Sequence, residues 1–236
     1  MDYNKSSAKL RLVLLILLAL IIPAVNCFAL LPLREYFNGD MYNILPYTVF
    51  DGASYFFSAF AKYACIGVIV ASVLARHGKR AAAYSLVFTA VYLLSSTFLP
   101  FLSGIFFPKL IPIQNGDLFY AIMSMLSDIV FIIAIYVLCV IFRKYAQRKG
   151  IDVFDHDSAD TKKYVCTRAL IIIAIICTVT LITSGINIVS NMLSYGISAE
   201  NVTQLIKEAG YAVISFIIGA ITAPLVIKNI FIIDKK

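Results

Sequence analysis

Lys62 stands in the run FFSAFAKYACIGV, an ammonium inside an otherwise apolar and aromatic stretch, and Ser58 precedes it by four residues. Two kinds of chemistry fit that spacing. Residues four apart share a helix face, so a desolvated lysine amine could activate the serine hydroxyl as a nucleophile. Alternatively, the ammonium is half of an ion pair: a charge at a bilayer centre costs about 2.5 to 3.5 kcal/mol on insertion scales and is usually matched. Asp128 supplies the opposite charge. Lys62 lies nine residues below Ala53 and Asp128 ten below Leu118, so at 1.5 Å per residue both sit about 14 to 15 Å below one surface. A direct Lys62–Asp128 contact is expected. The enzyme reading has less behind it, because there is no nucleophile elbow, no HExxH and no histidine within any apolar run. No catalytic residue, cofactor or metal site is assigned.

Uncharged polar residues recur around this pair at helical spacing. One apolar run carries Thr180, Ser184, Asn187 and Asn191 at steps of four, three and four; another carries Ser85, Thr89, Tyr92 and Ser96. Tyr55 and Ser58 stand above Lys62, Ser124 above Asp128, and the last run adds Tyr211, Ser215 and Thr222. Each set occupies one helix face, so the faces converge. Tyr55, Ser58, Thr89, Tyr92, Ser96, Ser124, Thr180, Ser184, Asn187, Asn191 and Ser215 are expected to line a polar cavity that opens outward above the Lys62–Asp128 pair. The same groups could instead serve only to tie helices together. An offset of 66 residues superposes Asp51 on Asp117, Ser58 on Ser124 and Lys62 on Asp128, too faint a signal to establish an internal repeat.

The elements that must position these residues are membrane helices. The 236 residues are 61% hydrophobic and 14% charged, with mean hydropathy +0.90, outside the range of soluble domains. Six runs are long enough to cross a hydrocarbon core: about 10–31, 53–75, 81–99, 118–142, 167–190 and 210–230. The expected fold is all-α, a polytopic six-helix bundle of three hairpins forming one integral membrane domain. Of the 20 Lys and Arg residues, sixteen fall on one side, Arg34, Lys109 and Lys207 fall on the other, and Lys62 is inside a run. By the positive-inside rule both termini are cytoplasmic, and the net charge of +7 needs no nucleic-acid partner. The first run resembles a signal peptide, but Asn26 in PAVNC occupies the place where a small residue would precede the cut, so it reads as an uncleaved span. The five cysteines form no CxxC pair and read as small buried hydrophobes.

The links carry less information. RHGKR is short and makes the second and third spans antiparallel neighbours. Residues 143–165 read as a polar cytoplasmic loop; its Asp152, Asp155, Asp157 and Asp160 lack the glycine and closing carboxylate of a calcium loop, leaving Ser158 or Asp160 to cap the fifth span. Pro100, Pro108 and Pro112 should break the segment after the third span into an interfacial or re-entrant piece. SAENVTQLIKEA, opening at Ser198, reads as a separate amphipathic helix on the outer surface.

The reading that follows is a multi-pass protein of the cell membrane, either a small-solute transporter or the membrane or substrate-binding subunit of a transport system. The alternative is a non-transporting scaffold. Expected partners are the lipid bilayer and, for any ATP-driven version, separate subunits, since no Walker motif is present; the small-molecule substrate is not named by the sequence.

Overall fold

The computed structural model describes residues 3–38, 44–76, 78–110, 117–155, 158–195 and 199–234. Its helices are α1 (Tyr3–Val25), α2 (Leu31–Tyr36), α3 (Ile44–Ala75), α4 (Gly78–Leu93), α5 (Leu99–Phe106), α6 (Leu118–Arg148), α7 (Ala159–Tyr195) and α8 (Ala199–Asp234). No strand occurs among the described residues. Two π-helical turns, Asn26–Leu30 and Leu94–Phe98, join α1 to α2 and α4 to α5 without interruption. The result is six rods long and apolar enough to cross a membrane.

The π turns have a common cause in the sequence. Each is followed by Leu-Pro, at Leu31-Pro32 and at Leu99-Pro100. A proline within a helix lacks its N–H and crowds the carbonyl four residues back, which here belongs to Phe28 and Ser96, both inside the widened turns. The wider turn absorbs the clash and the rod continues. Pro100 therefore does not break the third rod, which runs on to Phe106. Pro112 lies outside the described residues.

At the centre stands α3. It is apolar on every side below Lys62, the pattern of a helix buried all round. In its most apolar window 72% of residues are buried, against 17% to 33% for the other rods. Its neighbour α8 runs parallel to it at a constant offset of 156 residues. Asp51 meets Lys207, Tyr55 stacks on Tyr211, Tyr63 faces Gly219, and Gly67 faces Ala223. At the last two levels the approach is close because Gly67, Gly219 and Ala223 are small. A Cβ at Gly67 would stand 3.2 Å from the Ala223 Cα. From this crossing toward the basic end the bundle is dry, filled by Ile66, Ile69, Leu74, Ile172, Ile227 and Phe231.

The basic end is tied by aromatic and backbone contacts. The Arg168 guanidinium lies among the rings of Tyr164, Phe142 and Tyr145, at 4.7, 5.1 and 5.4 Å. Tyr164 donates to the Phe142 carbonyl at 2.7 Å, and Arg143 donates to the Arg76 carbonyl at 3.0 Å. The polar link is shorter than 143–165: α6 continues to Arg148, and α7 starts at Ala159. Gly150, at φ +69, closes α6, with Gly150 N–H bonding the Gln147 carbonyl and Ile151 N–H the Ala146 carbonyl. Ser158 caps α7, its hydroxyl accepting from the Asp160 N–H at 3.2 Å. At the other end, residues 199–209 are the first turns of α8 rather than a separate surface helix, since only Gly210 interrupts the helical pattern and one glycine does not end a helix. Ser198 lies outside the described residues.

Candidate functional site

Above the dry half the rods part around a cavity of about 550 Å³. Five of the six rods reach it, all but α6. From Asp51 to Lys62 is eleven residues of α3, a depth of about 16 Å at helical rise.

Lys62 forms the floor. It is half-buried and lies on the cavity wall. Its Nζ sits 5.4 Å from the centre of the Phe131 ring, a cation–π distance. The direct contact with Asp128 expected from matched depths is absent: no Lys62–Asp128 ion pair within 4.0 Å occurs among the described residues. The two remain electrostatic neighbours. Asp128 instead collects hydroxyls from the third rod. Its Oδ1 accepts from Tyr92 at 3.3 Å, and its Oδ2 accepts from Ser96 at 2.6 Å and Thr97 at 3.1 Å. The π turn at Leu94–Phe98 brings Ser96 and Thr97 onto one carboxylate, and Lys62 falls three residues lower, beside Phe131. A carboxylate within reach of three donor hydroxyls is satisfied without an ammonium.

The polar part of the wall above Lys62 is built from hydroxyls and one amide. Asn26, in the first π turn, donates Nδ2 to Ser58 Oγ at 2.8 Å. Its Oδ1 is buried and has no partner. Tyr55 donates to the Tyr211 carbonyl at 2.6 Å and also bonds Ser215; its ring stacks on Tyr211 with centroids 4.4 Å apart. Tyr63 and Cys177 meet at 3.2 Å. Ser54, Ser95 and Thr180 complete the polar surface.

Charges close the wide end in a compensated cluster. Arg34 bonds Glu35 and reaches Asp51 Oδ1 at 3.3 Å. Asp51 Oδ2 accepts from the Tyr211 hydroxyl and pairs with Lys207 at 3.6 Å. Glu208 also lines this end.

Of the residues expected to line a cavity, Tyr55, Ser58, Tyr92, Ser96, Thr180 and Ser215 are together on its wall. Thr89 bonds Tyr136 at 3.2 Å and faces away from it. Ser124 and Asn187 are exposed on the outside of the bundle and Ser184 is half-buried there, because α6 and α7 turn much of their upper length outward. The side chain of Asn191 lies outside the described residues. Asn26, Arg34, Asp51 and Glu208 also line the cavity, a role not expected of them from the sequence. Asn26 was detectable as a lone amide in an apolar run, and Arg34 and Asp51 as opposite charges flanking one short link. Among the described residues no group of three or more His, Cys, Asp and Glu is placed to hold a metal ion. Compared with known proteins, the chain matches no family model, no curated protein and no solved structure.

Proposed function

We propose that this chain is an integral protein of the cell membrane that binds a small solute in an outward-facing cavity, as a transporter or as the membrane subunit of a transport system. The observation that carries the reading is the cavity itself. Its volume, about 550 Å³, is in the range of metabolite sites, and its largely apolar wall carries hydroxyls, an amide and an ammonium. Several of these groups join helices, Asn26 to Ser58 and Tyr55 to Ser215, yet the rods keep this space between them. The basic end carries Arg76, Arg143 and Arg168, so the positive-inside rule turns that end and both termini to the cytoplasm and the cavity mouth outward.

Accessibility tests this. In a background lacking the five native cysteines, Ser58→Cys and Ser96→Cys should react with a membrane-impermeant thiol reagent added outside intact cells. Ser72→Cys, at a position that is 0% exposed, should not. If neither cavity position reacts, the bundle is closed and dry, and the scaffold reading replaces this one.

A further inference from the structure

We infer that the solute is a small organic anion whose carboxylate, phosphate or sulfonate oxygens are received at Lys62; the inference rests on the cavity reading above. The floor offers donors. Lys62 carries three N–H groups and no acceptor, and among the described residues it has neither an ion pair within 4.0 Å nor a hydrogen bond; the Phe131 ring is its cation–π neighbour and Asp128 a more distant charge. Ser58, one helical turn above on the same face, accepts from Asn26, which leaves its own hydroxyl proton to donate into the cavity. Asn26 has one amide atom bonded to Ser58 and the other unpartnered. An amide presents a donor and an acceptor in nearly the same shape, and the Ser58 hydroxyl can bond either, so the pair offers an anion one donor at a time: the Ser58 proton in the arrangement seen, or the Asn26 NH₂ when the amide is turned and Ser58 donates to Asn26 Oδ1.

The negative charges are placed so as not to compete. Asp128 is not on the cavity wall and has the hydroxyls of Tyr92, Ser96 and Thr97 within hydrogen-bond reach, Ser96 sharing its one proton with the Tyr92 carbonyl. Asp51 is engaged by Arg34, Lys207 and Tyr211. Glu208 stands at the level of residue 52 in the parallel register with α3, ten residues above Lys62, about 15 Å away along the axis. A solute at the floor therefore meets an ammonium and hydroxyl donors, while Asp51 and Glu208 are engaged or remote and Asp128, an electrostatic neighbour of Lys62, lies off the cavity wall. A neutral or cationic solute would leave the ammonium without a hydrogen-bonding partner from the solute, whereas an oxyanion satisfies it by charge-assisted hydrogen bonds.

Charge-selective labelling decides the matter. The reporter is Thr180→Cys in the cysteine-free chain, on the cavity wall but on a different helix from Lys62. It is treated with an anionic reagent, sulfonatoethyl methanethiosulfonate, and a cationic one, trimethylammonioethyl methanethiosulfonate, and the ratio of their rates is divided by the same ratio for free 2-mercaptoethanol. The normalised ratio should favour the anionic reagent about tenfold, fall to near one in Lys62→Met, and persist in Lys62→Arg. Lys62→Met combined with Asp128→Asn removes both charges and supplies a second variant should the single one misfold; it should also read near one. A normalised ratio near one with Lys62 intact, or one that Lys62→Met leaves unchanged, overturns the inference while the cavity stands. If neither reagent reaches Thr180→Cys, the cavity reading fails and takes the inference with it.

Discussion

Gly219 is the sharpest place to probe the packing that supports the cavity floor. A Cβ there would lie 2.8 Å from Ile173 Cγ2 and 3.1 and 3.2 Å from Tyr63 Cγ and Cδ2, whereas carbon atoms rest at about 3.5 to 4.0 Å. Ile173 is 0% and Tyr63 2% exposed, so neither has open space to retreat into. Overpacking of this kind costs about 1 to 3 kcal/mol. Alanine also gains about 0.8 to 1 kcal/mol over glycine within a helix, which blurs the sign of Gly219→Ala alone. Gly210 on the same helix supplies the reference, because a Cβ there meets nothing within 4 Å. Subtracting the two cancels the helix preference and leaves the overpacking cost. With about 2 to 4 °C per kcal/mol for a chain of this length, the Tm of Gly219→Ala in detergent should lie about 2 to 12 °C below that of Gly210→Ala. Should Gly219→Ala match or exceed Gly210→Ala, the close meeting of α3, α7 and α8 described above is not the packing of the folded protein.

Two further outcomes concern the mouth and the orientation. Asp51→Asn removes the carboxylate shared by Arg34, Tyr211 and Lys207; since Lys207 is half exposed and screened, the loss comes mainly from the other two, about 1 to 2 kcal/mol. Thermal melts should show a lower Tm than wild type, with a smaller gap in 1 M salt, and an unchanged Tm at low salt would remove the cluster as a structural clasp. In the cysteine-free chain, Lys149→Cys should resist an impermeant thiol reagent in intact cells while Lys109→Cys reacts, and the reverse pattern would place the cavity mouth on the cytoplasmic side.

The rods were legible because twenty or so consecutive apolar residues leave a chain few alternatives, and their ends were misplaced because polar turns continue a helix as readily as apolar ones. That is why α6 runs to Arg148 and α7 begins at Ala159. The π turns carry no periodicity to detect, yet the Leu-Pro steps that accompany both were visible. Depth counting put Lys62 level with Asp128 and erred by three residues, about 4.5 Å, enough to set Phe131 beside the ammonium instead. The mouth cluster joins Arg34 to Asp51 across one link but Asp51 to Lys207 across 156 residues, and no local pattern links positions as far apart as the second pair.

The dry crossing at Gly67 and Ala223 has an electrical consequence in the proposed orientation. A water-filled cavity conducts ions and cannot sustain a voltage along its length, so the membrane potential falls almost entirely across the apolar layer beneath Lys62. The floor of the cavity is then near the potential of the outside solution, and an anion reaches it with little electrical work. Moving that anion on through the remaining layer toward a negative interior opposes nearly the whole field, about 2.3 kcal/mol per charge for each 100 mV. Occupancy of the cavity should therefore be insensitive to voltage, and any onward step should require a compensating cation or another source of free energy.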